Sequence, residues 1–115
     1  MEEQAKRVDH FLKNYNRLKK LSESPHRDVW SVEAGRVVKD IDLTINGLEE
    51  RSRRVLANRF IVKSKKRLSR SEMCRELELT IPEFDCLLEQ SLLDFAGSYR
   101  GGVIEKSFKI KDIVK

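Results

Sequence analysis

Apolar residues return at intervals of three and four near the start of the chain. Val8, Phe11, Leu12, Tyr15, Leu18 and Leu21 fall on one side of a helical spiral, and charged residues fill the other. The spacing predicts one long helix from residue 3 to about 22. Its stripe admits two readings: core, or a seam that pairs with a second copy of the chain. SESPHRD (22–28) ends it, because Pro25 has no backbone donor and serines favour a loop. A second helix is predicted from about Val29 to Leu43, with Trp30, Val37, Val38 and Ile41 inward. Asn46-Gly47-Leu48-Glu49 then reads as a new start, Asn46 capping the free amides and Glu49 bonding back. The third helix continues to about Val62 and buries Leu48, Val55, Leu56 and Phe60.

The pattern after the connector KSKKRL (63–68) is tighter. Ser69-Arg70-Ser71-Glu72 is a capping box that opens a short helix, with Met73, Leu77 and Cys74 inward. Thr80-Ile81-Pro82-Glu83 is another, opening a helix that buries Phe84, Leu87, Leu88, Leu92 and Phe95 or Ala96. Pro82 is tolerated in the first turn, where its missing amide would have no helical partner. Only Glu78 and Leu79 lie between the two helices, so they must cross steeply, as in a helix-turn-helix. The tail beyond Gly101 alternates Phe108 and Ile110 with Lys109 and Lys111, which fits a short strand or an extended arm.

Composition narrows the class. With 115 residues, 39% apolar and 37% charged, the chain suits one small all-α domain with a modest core. No stretch approaches the roughly 18 apolar residues of a membrane span. MEEQAKRVDH lacks a signal-peptide core, so an intracellular protein is expected. Cys74 and Cys86 are too few for a disulfide scaffold, and His10 and His26 lie far from both, so neither a metal nor a cofactor is expected. No nucleophile–base pair or glycine-rich phosphate loop stands out, so no enzyme is expected either.

Charge changes the picture most. Nine bases and no acid lie between Arg51 and Arg70, whereas Thr80–Tyr99 holds four acids and no base. That split predicts a positive side suited to a polyanion.

The residues also carry a resemblance. LEERSRRVLANRFI, the basic connector and LSRSEMCRELELTIPEFDCLLEQSLLDFA resemble the promoter-recognising last region of sigma factors. There an Arg-rich helix precedes a Glu-Ile-Ala-x-x-Leu helix and a Val-Ser-x-x-x-Val recognition helix. Glu72–Leu77 matches the first of these motifs and Leu79–Phe84 the second, with Cys74 where a small residue lets the helices approach. Together with Tyr15-Asn16-Arg17-Leu18-Lys19-Lys20-Leu21 in a leading helix, residues 8–99 resemble the ArpU family of phage transcriptional regulators.

The resemblance implies a late-gene activator in the cytoplasm of a bacterial host cell, with double-stranded DNA as partner and RNA polymerase as a second. It divides the chain into an N-terminal helical region (1–45) for packing, dimerisation or partner contact, a sigma-like helix-turn-helix (46–99) and a tail (100–115). Arg54, Lys63, Lys65, Lys66, Arg67, Arg70 and Arg75 are the candidates for DNA phosphate, and Thr80, Ile81, Glu83 and Asp85 for base proximity. Two positions depart from the pattern. Glu78 stands where many such units carry Gly, at a cost of about 1 kcal/mol in a left-handed turn. The start of the recognition helix carries acids instead of the Arg, Lys, Asn or Gln that usually read base edges. Affinity is therefore expected from phosphate contacts outside that helix. The alternative is a protein-interaction module whose acidic helix contacts polymerase or another regulator.

Overall fold

The computed structural model describes residues 2–25 and 28–101, and among them every regular element is helical. The helices are α1 (Glu3–Leu12), α2 (Tyr15–Ser22), α3 (Val29–Asn46), α4 (Glu50–Leu56), α5 (Arg70–Leu77) and α6 (Ile81–Ser98). The tail's alternating segment lies outside the described residues.

The leading helix is two helices rather than one. At Lys13–Asn14 the backbone ladder slips: the Asn14 N–H reaches the Phe11 carbonyl, three residues back, at 3.2 Å. Its side-chain amide donates long hydrogen bonds to the carbonyls of His10 and Phe11. Asparagine competes in this way for the groups a helix ladder needs. Helical bonding resumes with Leu18 N–H to Asn14 O at 2.9 Å. The stripe still faces inward: Val8, Leu12 and Tyr15 are fully buried, Phe11 and Leu18 pack on the core, and Leu21 is exposed. The Tyr15 hydroxyl donates to Asp42 at 2.8 Å, tying α2 to α3, and burial together with that carboxylate raises its pKa.

Two corrections concern α3. Its inward stripe is Ser31, Ala34, Val38, Ile41 and Ile45, and Val37 is only partly covered. Trp30 lies off that line, in the first turn, and is 75% exposed beside an exposed Val29. The helix also runs one turn beyond Leu43, because burying Ile45 requires it. Asn46 is therefore its last residue and caps nothing downstream; Gly47 closes α3 on the carbonyls of Leu43 and Thr44. The start signal the chain uses for α3 is Asp28, whose carboxylate accepts the Ser31 N–H at 2.8 Å. The next helix begins after Glu49, without a side-chain cap.

Helix α4 widens at its end into a π-helical turn, Ala57–Ile61, closed by Val62 N–H to Ala57 O at 2.9 Å. Val55, Leu56 and Phe60 are buried as expected, and Leu48 is partly so. α6 forms the centre of the core, packing on α1, α4 and α5, while α2 packs on α3. Its buried residues are Phe84, Ser91 and those at 88, 92, 95 and 96. One apolar cluster thus spans both halves of the chain.

Distant ion pairs fasten the periphery. Asp9 on α1 accepts from Arg59 at 2.7 Å and sits 3.1 Å from Lys13; Arg100 meets Asp40 of α3 at 2.7 Å. Burial pushes the Asp9 carboxyl up, but the hydrogen bonds from Arg59 and Lys13 outweigh it, and the net shift is downward.

Candidate nucleic-acid interface

The geometry of α5 and α6 follows from local chemistry. Ser69 Oγ accepts the Glu72 N–H at 3.2 Å, and the Glu72 carboxylate accepts the Ser69 N–H at 3.1 Å. Thr80 Oγ1 accepts from Glu83 N–H at 3.3 Å, and Glu83 returns a 2.9 Å bond to the Thr80 N–H. Those backbone amides hold both carboxyls below the usual glutamate range. Between the boxes, Glu78 adopts φ 57° and ψ 47°, the left-handed conformation expected where many such units carry Gly. Leu79 N–H bonds to Cys74 O at 2.9 Å and Glu78 N–H to Arg75 O at 3.3 Å, which completes a Schellman motif. Cys74 is buried with its sulfur 3.9 Å from the Thr80 carbonyl, where α6 begins. A small side chain at this position lets the second helix start against the first.

The connector is held just as locally. Asn58 grips the Leu68 backbone from both sides, donating to its carbonyl at 3.1 Å and accepting its N–H at 2.9 Å. A single turn at Ser64–Lys66 lifts Lys63, Lys65 and Lys66 into solvent. Among the described residues none of these three lysines has an ion pair, and Arg67, also exposed, donates only to the Val62 carbonyl at 3.1 Å. Arg75 is exposed on α5, likewise without an ion pair among the described residues.

The other phosphate candidates are answered by acids. Arg54 lies 3.2 Å from Glu76. Arg70, at the start of α5, meets Asp85 of α6 side-on, Nε donating to Oδ1 at 3.0 Å and Nη2 to Oδ2. The base-proximal set divides in the same way. Thr80 and Glu83 are bound into their cap, Asp85 faces Arg70, and Ile81 stands 42% exposed beside exposed Pro82 and Cys86. No lysine or arginine occurs on α6.

No known protein family, curated protein or solved structure matches the chain. What the site can do therefore rests on its own chemistry. Both cysteines are free, and among the described residues no group of three or more His, Cys, Asp or Glu is placed to hold a metal ion. No helix there is long and apolar enough to cross a membrane. The structure offers a row of unneutralised cations on a pinned connector, next to two helices joined by a two-residue turn. Asn58, Glu76 and the Arg70–Asp85 contact were not foreseen from sequence. Their partners lie 10, 22 and 15 residues away, so no local pattern announces them.

Proposed function

We propose that the chain is a DNA-binding transcriptional regulator that uses α5 and α6 as a sigma-like helix-turn-helix, of the kind seen in ArpU-type activators of phage late genes. The observation that carries this reading is the tandem of capping boxes around a left-handed Glu78, set beside the exposed cations of the connector. In this reading Lys63, Lys65, Lys66 and Arg67 contact duplex phosphates, with Arg75 adding to them. Four such contacts give a slope of about −3.6 for log affinity against log salt, a loss of about 150-fold between about 0.05 and 0.2 M. The test is fluorescence anisotropy with a labelled duplex across that range. Reversing Lys65, Lys66 and Arg67 to Glu should flatten the slope and weaken all sequences alike. Salt-independent binding, or a triple variant that binds as well as wild type, would sink the reading.

A second reading has one observation in its favour: the outward start of α6 itself offers Ile81, Pro82 and Cys86 and no cation, with Arg51 of α4 at its edge. Such a face suits a protein partner such as RNA polymerase better than a phosphate backbone. It requires a polymerase complex that forms without DNA and is lost in Ile81→Ser; detecting no complex would remove it.

A further inference from the structure

A groove runs between α4, α5 and α6. Phe84, Leu88 and Met73 contribute to its apolar floor, and Arg59, Arg67 and Arg70 stand among its lining residues. Asp85 is the one acid in that lining. Arg59 is answered from elsewhere, by Asp9, and Arg67 by a backbone carbonyl alone. Arg70 presents its Nε–Nη2 edge to the Asp85 carboxylate. A guanidinium offers that edge equally to the paired oxygens of a carboxylate or of a phosphodiester.

We propose that this groove is a seat for one phosphodiester of the DNA backbone, and that the Asp85 carboxylate occupies the anion position in the free protein. The inference rests on the DNA-binding reading above and adds a residue that limits its affinity. The Arg70 and Asp85 side chains are 53% and 51% exposed, so the pair is easily opened and Arg70 can be handed to an incoming phosphate. What then opposes binding is the Asp85 charge itself, left beside the phosphate. The opposite role, a carboxylate that braces Arg70 and leaves its other edge for DNA, predicts an effect of opposite sign.

The experiment measures duplex affinity of the full chain against salt for wild type, Asp85→Asn, Arg70→Gln and the double variant. Two like charges about 5–6 Å apart, at an effective dielectric of about 40–80, correspond to a gain of about three- to tenfold for Asp85→Asn. The salt slope should steepen by about 0.9, because without the Asp85 charge the seat meets the phosphate with one more net positive charge. Arg70→Gln should weaken wild type, because it leaves the Asp85 charge unanswered beside the phosphate, and should abolish the gain in the Asp85→Asn background. Asp85→Ser, with matching melting curves, guards against a folding artefact in the Asn variant. Lower affinity with a shallower slope would show that Asp85 braces Arg70, and no change would show that the groove holds no phosphate; either overturns the proposal. If wild type binds through the connector lysines while Asp85→Asn leaves binding unchanged, only the seat is wrong. If wild type shows no salt-dependent binding, the functional reading falls with it.

Discussion

Replacing Glu78 by Gly should make the protein more stable, although it removes every side-chain atom at that position. Glu78 sits at φ 57° and ψ 47°, a region in which a β-carbon crowds the following carbonyl at a cost of about 1–2 kcal/mol. Glycine relieves that crowding but gives the unfolded chain more freedom, which returns about 0.4–1 kcal/mol. No contact has to be given up, because Glu78 is exposed and has no ion pair among the described residues. The Schellman bonds of the turn are backbone bonds and remain. The net expectation is a gain of about 0.5–1 kcal/mol, which for a chain of this size raises the melting temperature by about 2–5 °C.

Urea titration followed by circular dichroism, alongside a thermal scan, reads this directly, provided the dependence on denaturant keeps its slope. Glu78→Ala is the necessary companion. It keeps the β-carbon and removes the charge, so it should stay within about 0.5 kcal/mol of wild type. A glycine variant no more stable than the alanine variant would mean that the turn is not strained in solution and that α5 and α6 meet otherwise than described.

Three further outcomes follow from particular contacts. Asp9→Asn should cost about 1–2 kcal/mol near neutral pH, the worth of charge-assisted hydrogen bonds reduced by the partial exposure of Arg59. Because the folded Asp9 carboxyl lies below its ordinary value near 3.8, this contribution is fully present above that pH and disappears as pH falls through the lower folded value; chemical denaturation of both proteins at several acidic pH values would show their stabilities converging. Trp30→Ser should change stability by no more than about 0.5 kcal/mol, whereas a core tryptophan would cost about 3–5 kcal/mol; equilibrium unfolding in urea separates the two. Cys74→Leu should destabilise by about 1–3 kcal/mol through overpacking beneath the Thr80 carbonyl, read from the shift in urea midpoint; Cys74→Ala should cost less.

The second half of the fold was legible because its signals are short. Each capping box spans four residues and closes on itself. The two-residue gap between helices then leaves one crossing geometry, so Met73, Cys74, Leu77, Phe84 and Leu88 fall inward as their spacing requires. The misreadings occur where a local signal met a longer-range demand. Asn46 with Glu49 has the form of a start, but burial of Ile45 carries α3 past it. Trp30 is the bulkiest residue of its helix, yet the stripe from Ser31 through Ala34, Val38 and Ile41 sets the phase and leaves it outside. Asn14 sits within an unbroken apolar period, and only its side-chain bonding reveals the slip between α1 and α2. Ion pairs were the least legible feature, since Arg59–Asp9 and Arg100–Asp40 join residues 50 and 60 positions apart.

Those pairings alter what the charge pattern means. The segregation of nine bases from the acids that follow suggested one broadly positive face, but folding answers three of the bases, one of them from the acidic run and two from acids elsewhere in the chain. Of the nine, Arg54, Arg59 and Arg70 are bound to Glu76, Asp9 and Asp85, and four of the remaining six lie within Lys63–Arg67. The unneutralised charge is thus concentrated on a connector held by Asn58, while the helix that would enter the groove has no cation and keeps the Glu83 charge at its start. On the proposed function, this divides the labour. The connector supplies affinity that any duplex can satisfy and that salt weakens. Discrimination must then come from the Ile81 face, from the shape of the DNA, or from a protein bound alongside. A chain with six cations spread along its recognition helix would hold DNA more tightly and discriminate less, because phosphate contacts carry no sequence information of their own. On the seat proposed for Arg70, Asp85 would keep that indiscriminate contribution small, and the same carboxylate that makes α6 look unsuited to DNA would lower the background against which a specific site must be recognised.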